Sequence, residues 1–178
     1  MAISLKSLSL SAGNSKLAIR EILLLGLLSA ILIMVQVALA VLPNIELVSL
    51  LVIVYTLVLG KKVFFPIYVF VIAEGLIYGF GLWWINYLYI WAILATVVLL
   101  LRKNEQPLFW AIVSGVYGLL FGALSAIPYL FMGGIGAAAA YWVSGIIFDL
   151  LHCAGNAIAA VLLLGPSYKL LKKLYLRE

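Results

Sequence analysis

The stretch LWWINYLYIWAILATVVLLLRK, residues 82–103, decides how this chain is read. Residues 83–101 carry no charge. As a helix rising 1.5 Å per residue they reach about 28 Å, close to the ~30 Å hydrocarbon thickness of a bilayer. Trp83, Trp84, Tyr87 and Tyr89 crowd the beginning, where amphipathic rings sit at a membrane–water interface. Arg102 and Lys103 close the far end, so the pattern is that of a membrane-crossing helix with one aromatic and one basic border.

The rest of the chain repeats the theme. Of its 178 residues 67% are hydrophobic and 10% charged, against about 45–50% and 25% in soluble domains. That much apolar surface finds no place in a water-soluble fold. Apolar runs cover about Ile22–Leu42, Ile45–Leu59, Val63–Phe80, Trp83–Leu101, Leu108–Phe131 and Ala137–Leu164, predicting an all-α bundle of six transmembrane helices in one domain, residues 21–178. Residues 1–20 are Ser-rich, lack apolar periodicity and read as a cytoplasmic or interfacial lead-in. Pro166 is expected to stop or bend the last helix. Lys16, Arg20 and the Ala38-Leu39-Ala40 run mimic a cleaved signal peptide, but cleavage would leave an odd number of spans.

Charge sets the orientation. Alternating six spans puts all eleven Lys and Arg on one side: Lys6, Lys16, Arg20, Lys61, Lys62, Arg102, Lys103, Lys169, Lys172, Lys173 and Arg177. The positive-inside rule makes that side, and both termini, cytoplasmic. Basic residues that flank apolar runs are membrane anchors, so the net charge of +5 does not point to nucleic acid.

Ionisable groups in hydrocarbon are costly and therefore candidates for function. Glu46 opens the second run, Glu74 lies in the outer half of the third, and Asp149, His152 and Asn156 form a stripe at i, i+3 and i+7 in the last. The stripe reads either as a hydrogen-bonded seam between helices or as a ligand contact. A lone histidine and a lone cysteine, Cys153, make no metal site, and no nucleotide or hydrolase motif is present. An intramembrane enzyme would have to use Asp149 and His152 with a hydroxyl such as Ser144 or Ser125. Small residues four apart, Gly26 and Ala30, and the series Ser114, Gly118, Gly122 and Ser125, allow close approach of another helix.

Taken with Asn44-Ile45-Glu46-Leu47-Val48-Ser49 and Tyr141-Trp142-Val143-Ser144-Gly145-Ile146-Ile147-Phe148-Asp149, these features resemble the substrate-binding S-component of energy-coupling-factor (ECF) vitamin transporters. The likeness covers nearly the whole chain. It implies a multi-pass protein of a prokaryotic plasma membrane that is not itself an enzyme and needs no cofactor. Its partners would be a transmembrane scaffold subunit, met by Gly26 and Ala30, and two cytoplasmic ATPase subunits. Within the family the chain looks most like members assigned to cobalamin, with riboflavin, pantothenate and a queuosine precursor also open. A Met132–Gly136 loop would open for a bulky ligand. The pocket is expected in the outer half, lined by Asn44, Glu46, Glu74, Trp83, Trp84, Asn86, Tyr141 and Trp142, with Asp149 and His152 at or below its floor.

Overall fold

The computed structural model describes residues 5–42 and 44–175, with side-chain surroundings from residue 19 onward. The side chains of Lys6 and Lys16, and Arg177, lie outside the described residues. Among the described residues every regular element is helical: α1 (Leu5–Leu39), α2 (Val48–Leu59), α3 (Phe64–Tyr78), α4 (Leu82–Leu101), α5 (Pro107–Ser125) and α6 (Ile127–Tyr175), with a 3-10 turn over Gly60–Val63. Residues 5–20, read from sequence as a separate lead-in, are continuous with α1.

Five stretches are long and apolar enough to cross a membrane: Ile19–Leu39, Val48–Tyr78, Leu82–Leu101, Pro107–Ser125 and Ile127–Tyr175. The second contains both α2 and α3, which the sequence reading takes as two spans. At 12 and 15 residues each falls short of the ~20 that a full crossing needs. Gly60 separates them with φ +59° and ψ −135°, a conformation that side-chain-bearing residues rarely adopt.

The chain ends of these helices show how they are arranged. Lys62, in the turn, donates to the Glu21 carboxylate at the start of the apolar part of α1 and to the Tyr175 hydroxyl (3.4 Å) at the end of α6. Arg20 donates to the Leu174 carbonyl oxygen at 3.0 Å. One end of the bundle therefore gathers the start of α1's apolar segment, the α2–α3 turn and the C-terminal end of α6.

Helix α2 is short because it is surrounded. Nine of its 12 residues are buried, among them Val48, Val52, Ile53 and Val54, and it packs chiefly on α6 and α4. A helix enclosed by protein does not have to match the bilayer thickness. Around it, α1, α3, α4, α5 and α6 turn large apolar side chains outward, with Leu76 72%, Leu100 76% and Phe131 84% exposed. Such a surface is stable against lipid tails and not against water. The chain is a multi-pass helical membrane protein.

The closest helix pair is α5 on α6. Gly115, Gly118 and Gly122 form the contact face: a Cβ at Gly118 would stand 2.8 Å from the carbonyl carbon and oxygen of His152, and one at Gly115 3.3 Å from Ala157 Cβ. Missing side chains let the two backbones touch, so the small-residue series of α5 is used inside the bundle.

Two local expectations are corrected. Of the stop or bend expected at Pro166, the stop does not occur: the helix continues to Tyr175, where Leu171 is buried and Tyr175 is tied to Lys62. Tertiary anchoring on both sides of the proline offsets the single hydrogen bond that it removes. The Met132–Gly136 segment is a kink within α6 in place of an open loop, produced by Gly133 (φ −141°, ψ 16°) and Gly134 (φ 71°, ψ −170°). The fifth apolar run correspondingly divides: α5 stops at Ser125, and Pro128 lies in the first turn of α6, where proline's missing N–H has no helical partner to lose.

Candidate functional site

A cavity of about 170 Å³ opens at the end of the bundle away from the Lys62–Glu21–Tyr175 cluster. Gln36 of α1, on its wall, is 15 residues beyond Glu21, or roughly 22 Å along the helix. The cavity is lined by Gln36, Leu39, Ala40 and Leu42 from α1 and its end, Asn44, Ile45 and Glu46 from the connection to α2, Tyr87 and Trp91 from α4, Phe121 from α5, and His152 from α6. Its volume is smaller than the ~300–1,000 Å³ of sites for drug-sized ligands, so a ligand of that size would have to widen the cavity.

Its polar centre is built by Glu46 and His152. One carboxylate oxygen of Glu46 accepts the Ser49 N–H (2.8 Å), tethering the side chain to the first turn of α2 and satisfying one of that helix's free amides. The other stands 3.1 Å from His152 Nε2, linking the α1–α2 connection to α6 across 106 residues of sequence. His152 is 3% exposed, and its Nδ1 has no hydrogen-bond partner among the described residues. The Phe121 ring packs edge-on against the imidazole at 4.7 Å between centroids. Trp91 and Tyr87 pack edge-to-face at 5.4 Å and supply the aromatic wall. Among the described residues no Lys or Arg lines the cavity. Carboxylate, imidazole and amides beside three aromatic rings suit a neutral or cationic ligand with a flat apolar body and hydrogen-bonding edges.

The stripe Asp149, His152 and Asn156 divides its work. Asp149 Oδ1 accepts the Gly122 N–H at 2.9 Å, and the Asn156 amide donates to the Ser114 carbonyl oxygen at 3.4 Å. Both tie α6 to α5 as a seam, whereas the side chain of His152, between them, reaches the cavity. The Ser144 hydroxyl is spent on the Tyr141 carbonyl oxygen of its own helix (2.8 Å), and among the described residues neither Ser144 nor Ser125 bonds His152. A hydroxyl nucleophile with an imidazole base is not assembled in this geometry.

Of the eight residues expected around the ligand, Asn44 and Glu46 line this cavity. The other six do not. Glu74 is buried in α3 (2% exposed), its Oε1 without a hydrogen-bond partner among the described residues. Trp84 donates its indole N–H to the Val71 carbonyl oxygen (2.8 Å) and packs edge-on with Phe80, over the space that Gly75 leaves. Trp83 packs on Tyr87, behind the cavity wall. Asn86 is buried beside the Tyr89 hydroxyl, 2.9 Å from its Oδ1, and that hydroxyl donates to the Leu124 carbonyl oxygen at 2.7 Å. Tyr141 stacks on Tyr129 (4.2 Å) at the exposed side of α6, and Trp142 is exposed beside it.

Trp91 and Phe121 were not singled out from sequence. A signal for Trp91 exists: Trp83, Tyr87 and Trp91 recur every four residues and so share one face of α4. Phe121 has none, since its role comes from facing His152 on another helix. Comparison with protein-family models, curated proteins and solved structures finds no match to this chain.

Gly26 and Ala30 lie on the exposed face of α1, and a Cβ added at Gly26 would meet nothing within 4 Å. Ser29, between them, is buried and bonds within its own helix. The pair leaves a shallow bare strip on the outside of the protein.

Proposed function

We propose that this protein is the membrane-embedded substrate-binding subunit of an ECF-type importer for a vitamin or vitamin precursor. The observation that carries the reading is the cavity closed at its centre by Glu46 and His152: it has aromatic walls and a few convergent polar groups, and it opens opposite the basic end. The chain has no nucleotide-binding motif, so uptake against a gradient would draw its energy from partner ATPases through a membrane scaffold. The bare Gly26/Ala30 strip suits the scaffold contact, because two small residues four apart admit a neighbouring backbone.

In this reading α2 and α3 are separate, short second and third crossings, giving six spans with cytoplasmic termini. The helix ends joined through Lys62, Glu21 and Tyr175 support it. A cysteine placed at Lys103 should be protected from an impermeant reagent on intact cells and react only after the membrane is opened. Reaction from outside would reverse the topology.

The cargo follows from size and charge. At about 170 Å³ the cavity favours the smaller candidates, riboflavin or pantothenate, and would have to widen even for these, while the lack of basic residues in its described lining disfavours a ligand bound through several negative charges. Cobalamin, to which the sequence resemblance points, would require the cavity to widen, for which the Gly133–Gly134 kink in α6 is a natural hinge.

Calorimetry on the purified chain with cobalamin, riboflavin, pantothenate and a queuosine precursor tests the reading. Stoichiometric binding of one of them without turnover is the expected result; turnover of a bound compound, or no binding of any, would remove the proposal. Replacing Gly26 by Leu should abolish uptake in the assembled importer while leaving affinity for the vitamin nearly unchanged, because Gly26 is on the exposed face of α1 and a Cβ there meets nothing within 4 Å. Loss of binding with normal assembly would place the strip inside the bundle.

A further inference from the structure

A second cavity, of about 380 Å³, lies at the basic end of the bundle. Its walls come from the α4–α5 connection and the last turns of α6, and it is lined by Arg102, Lys169 and Lys172 with a single carboxylate, Glu105. Among the described residues none of the three cations makes a salt bridge, although Lys62 and Glu21 pair close by. Lys172 is held in place by its own helix: its ammonium donates to the Tyr168 hydroxyl at 3.3 Å and lies 5.4 Å from the centre of that ring. Three cations, without a salt bridge among the described residues, thus line one hollow beside a single carboxylate, a formal excess of two positive charges.

The hollow has a second character. Leu57, Leu164 and the buried indole of Trp110 form its apolar side, and the Trp110 N–H is already used on the Asn104 carbonyl oxygen (3.0 Å). Helix α5 begins at the wall with Pro107, so the partial positive charge of its N-terminus adds to that of the side chains. A site positive on one side and apolar on the other, at the ends of membrane-crossing helices, matches the junction of a lipid headgroup with its acyl chains. A soluble anion would use the cations and leave the apolar wall uncovered.

We propose that this cavity binds the phosphate headgroup of an anionic phospholipid in the leaflet at the basic end, with Arg102, Lys169 and Lys172 around the phosphate and Leu164 and Trp110 against the glycerol and the first acyl carbons. The bound lipid would bridge α6 to the α4–α5 connection, which among the described residues no salt bridge joins. This site is independent of the ligand cavity and of the transport proposal.

The test is native mass spectrometry of the full chain in detergent, titrated with phosphatidylglycerol, phosphatidylcholine and inorganic phosphate. The intact protein should retain phosphatidylglycerol in preference to phosphatidylcholine, with one lipid bound at low occupancy. The double variant Lys169→Gln/Lys172→Gln should weaken that retention about fivefold for each charge removed. Both side chains are exposed, so the fold is kept; Lys169→Arg/Lys172→Arg should bind as the native chain does, and Lys61→Gln/Lys173→Gln, with positions outside the cavity lining, should change nothing. Equal retention of the two lipids, or equal losses in the two glutamine pairs, would overturn the proposal. So would displacement of phosphatidylglycerol by millimolar inorganic phosphate, which would make the hollow a free-anion site.

Discussion

Gly118→Leu should prevent α5 and α6 from assembling, and Gly118→Ala alone should lower the melting temperature measurably. At this position even a methyl group would stand 2.8 Å from the backbone carbon and oxygen of His152 and 2.9 Å from Cys153 N. Backbone atoms in the middle of a helix have no rotamer to change, so the two helices would have to move apart. Separation would also lengthen the Asp149–Gly122 and Asn156–Ser114 hydrogen bonds of the seam, leaving polar groups unpaired in hydrocarbon. Overpacking of this kind costs about 1–3 kcal/mol, and in a chain of this size each kcal/mol shifts the midpoint by about 2–4 °C. Gly118→Ala should therefore melt roughly 2–12 °C lower in detergent. Gly26→Ala, with open space around it, is the control and should melt like the native protein. Equal midpoints for the two alanine variants would contradict this account of the α5–α6 contact.

The second large effect is expected, on the proposed function, at the centre of the Glu46–His152 cavity. Glu46 and His152 touch at 3.1 Å and come from distant parts of the chain, so each holds the other in position for a ligand. Removing one leaves the other buried without its partner. A lost hydrogen bond to a buried polar group costs about 1–3 kcal/mol, so Glu46→Ala and His152→Ala should each reduce affinity for the vitamin roughly 5- to 150-fold. Because the residues act on each other, the double variant should lose less than the sum of the single losses. Calorimetry of the three variants gives the coupling directly. Strict additivity would show that the pair does not work as a unit, and unchanged affinity in both single variants would move the ligand elsewhere. Glu74→Gln and Asn86→Ala, away from the cavity lining, serve as comparisons.

The fold class was legible in the sequence for a simple reason: hydrocarbon tolerates almost no charge, and a run such as residues 83–101 has no other stable environment. The segregation of basic residues was equally legible, because charge at a helix end is a local property. What local patterns left open was crossing length. The run at 45–59 reads as a span, yet α2 is a 12-residue helix enclosed by its neighbours, and only packing shows that it need not reach both surfaces.

The site divides along the same line. Sequence position determines the depth of a residue in the membrane, and by depth Glu46, Glu74, Trp84, Asn86 and Trp142 looked alike. Which way a side chain points around its helix turns by 100° per residue, so Asn86 and Tyr87, neighbours on α4, belong to different environments. Even that rotation places nothing until the neighbouring helix is known. Phe121 and His152 meet because glycines at 115, 118 and 122 let α5 and α6 approach, and Glu46 reaches His152 because its other oxygen is fixed on Ser49. Apolar length and charge, written in consecutive residues, determined that the protein lives in a membrane and which end is basic. The convergence of Glu46, His152, Trp91 and Phe121 depends on contacts between helices far apart in sequence, and only the tertiary structure decided it.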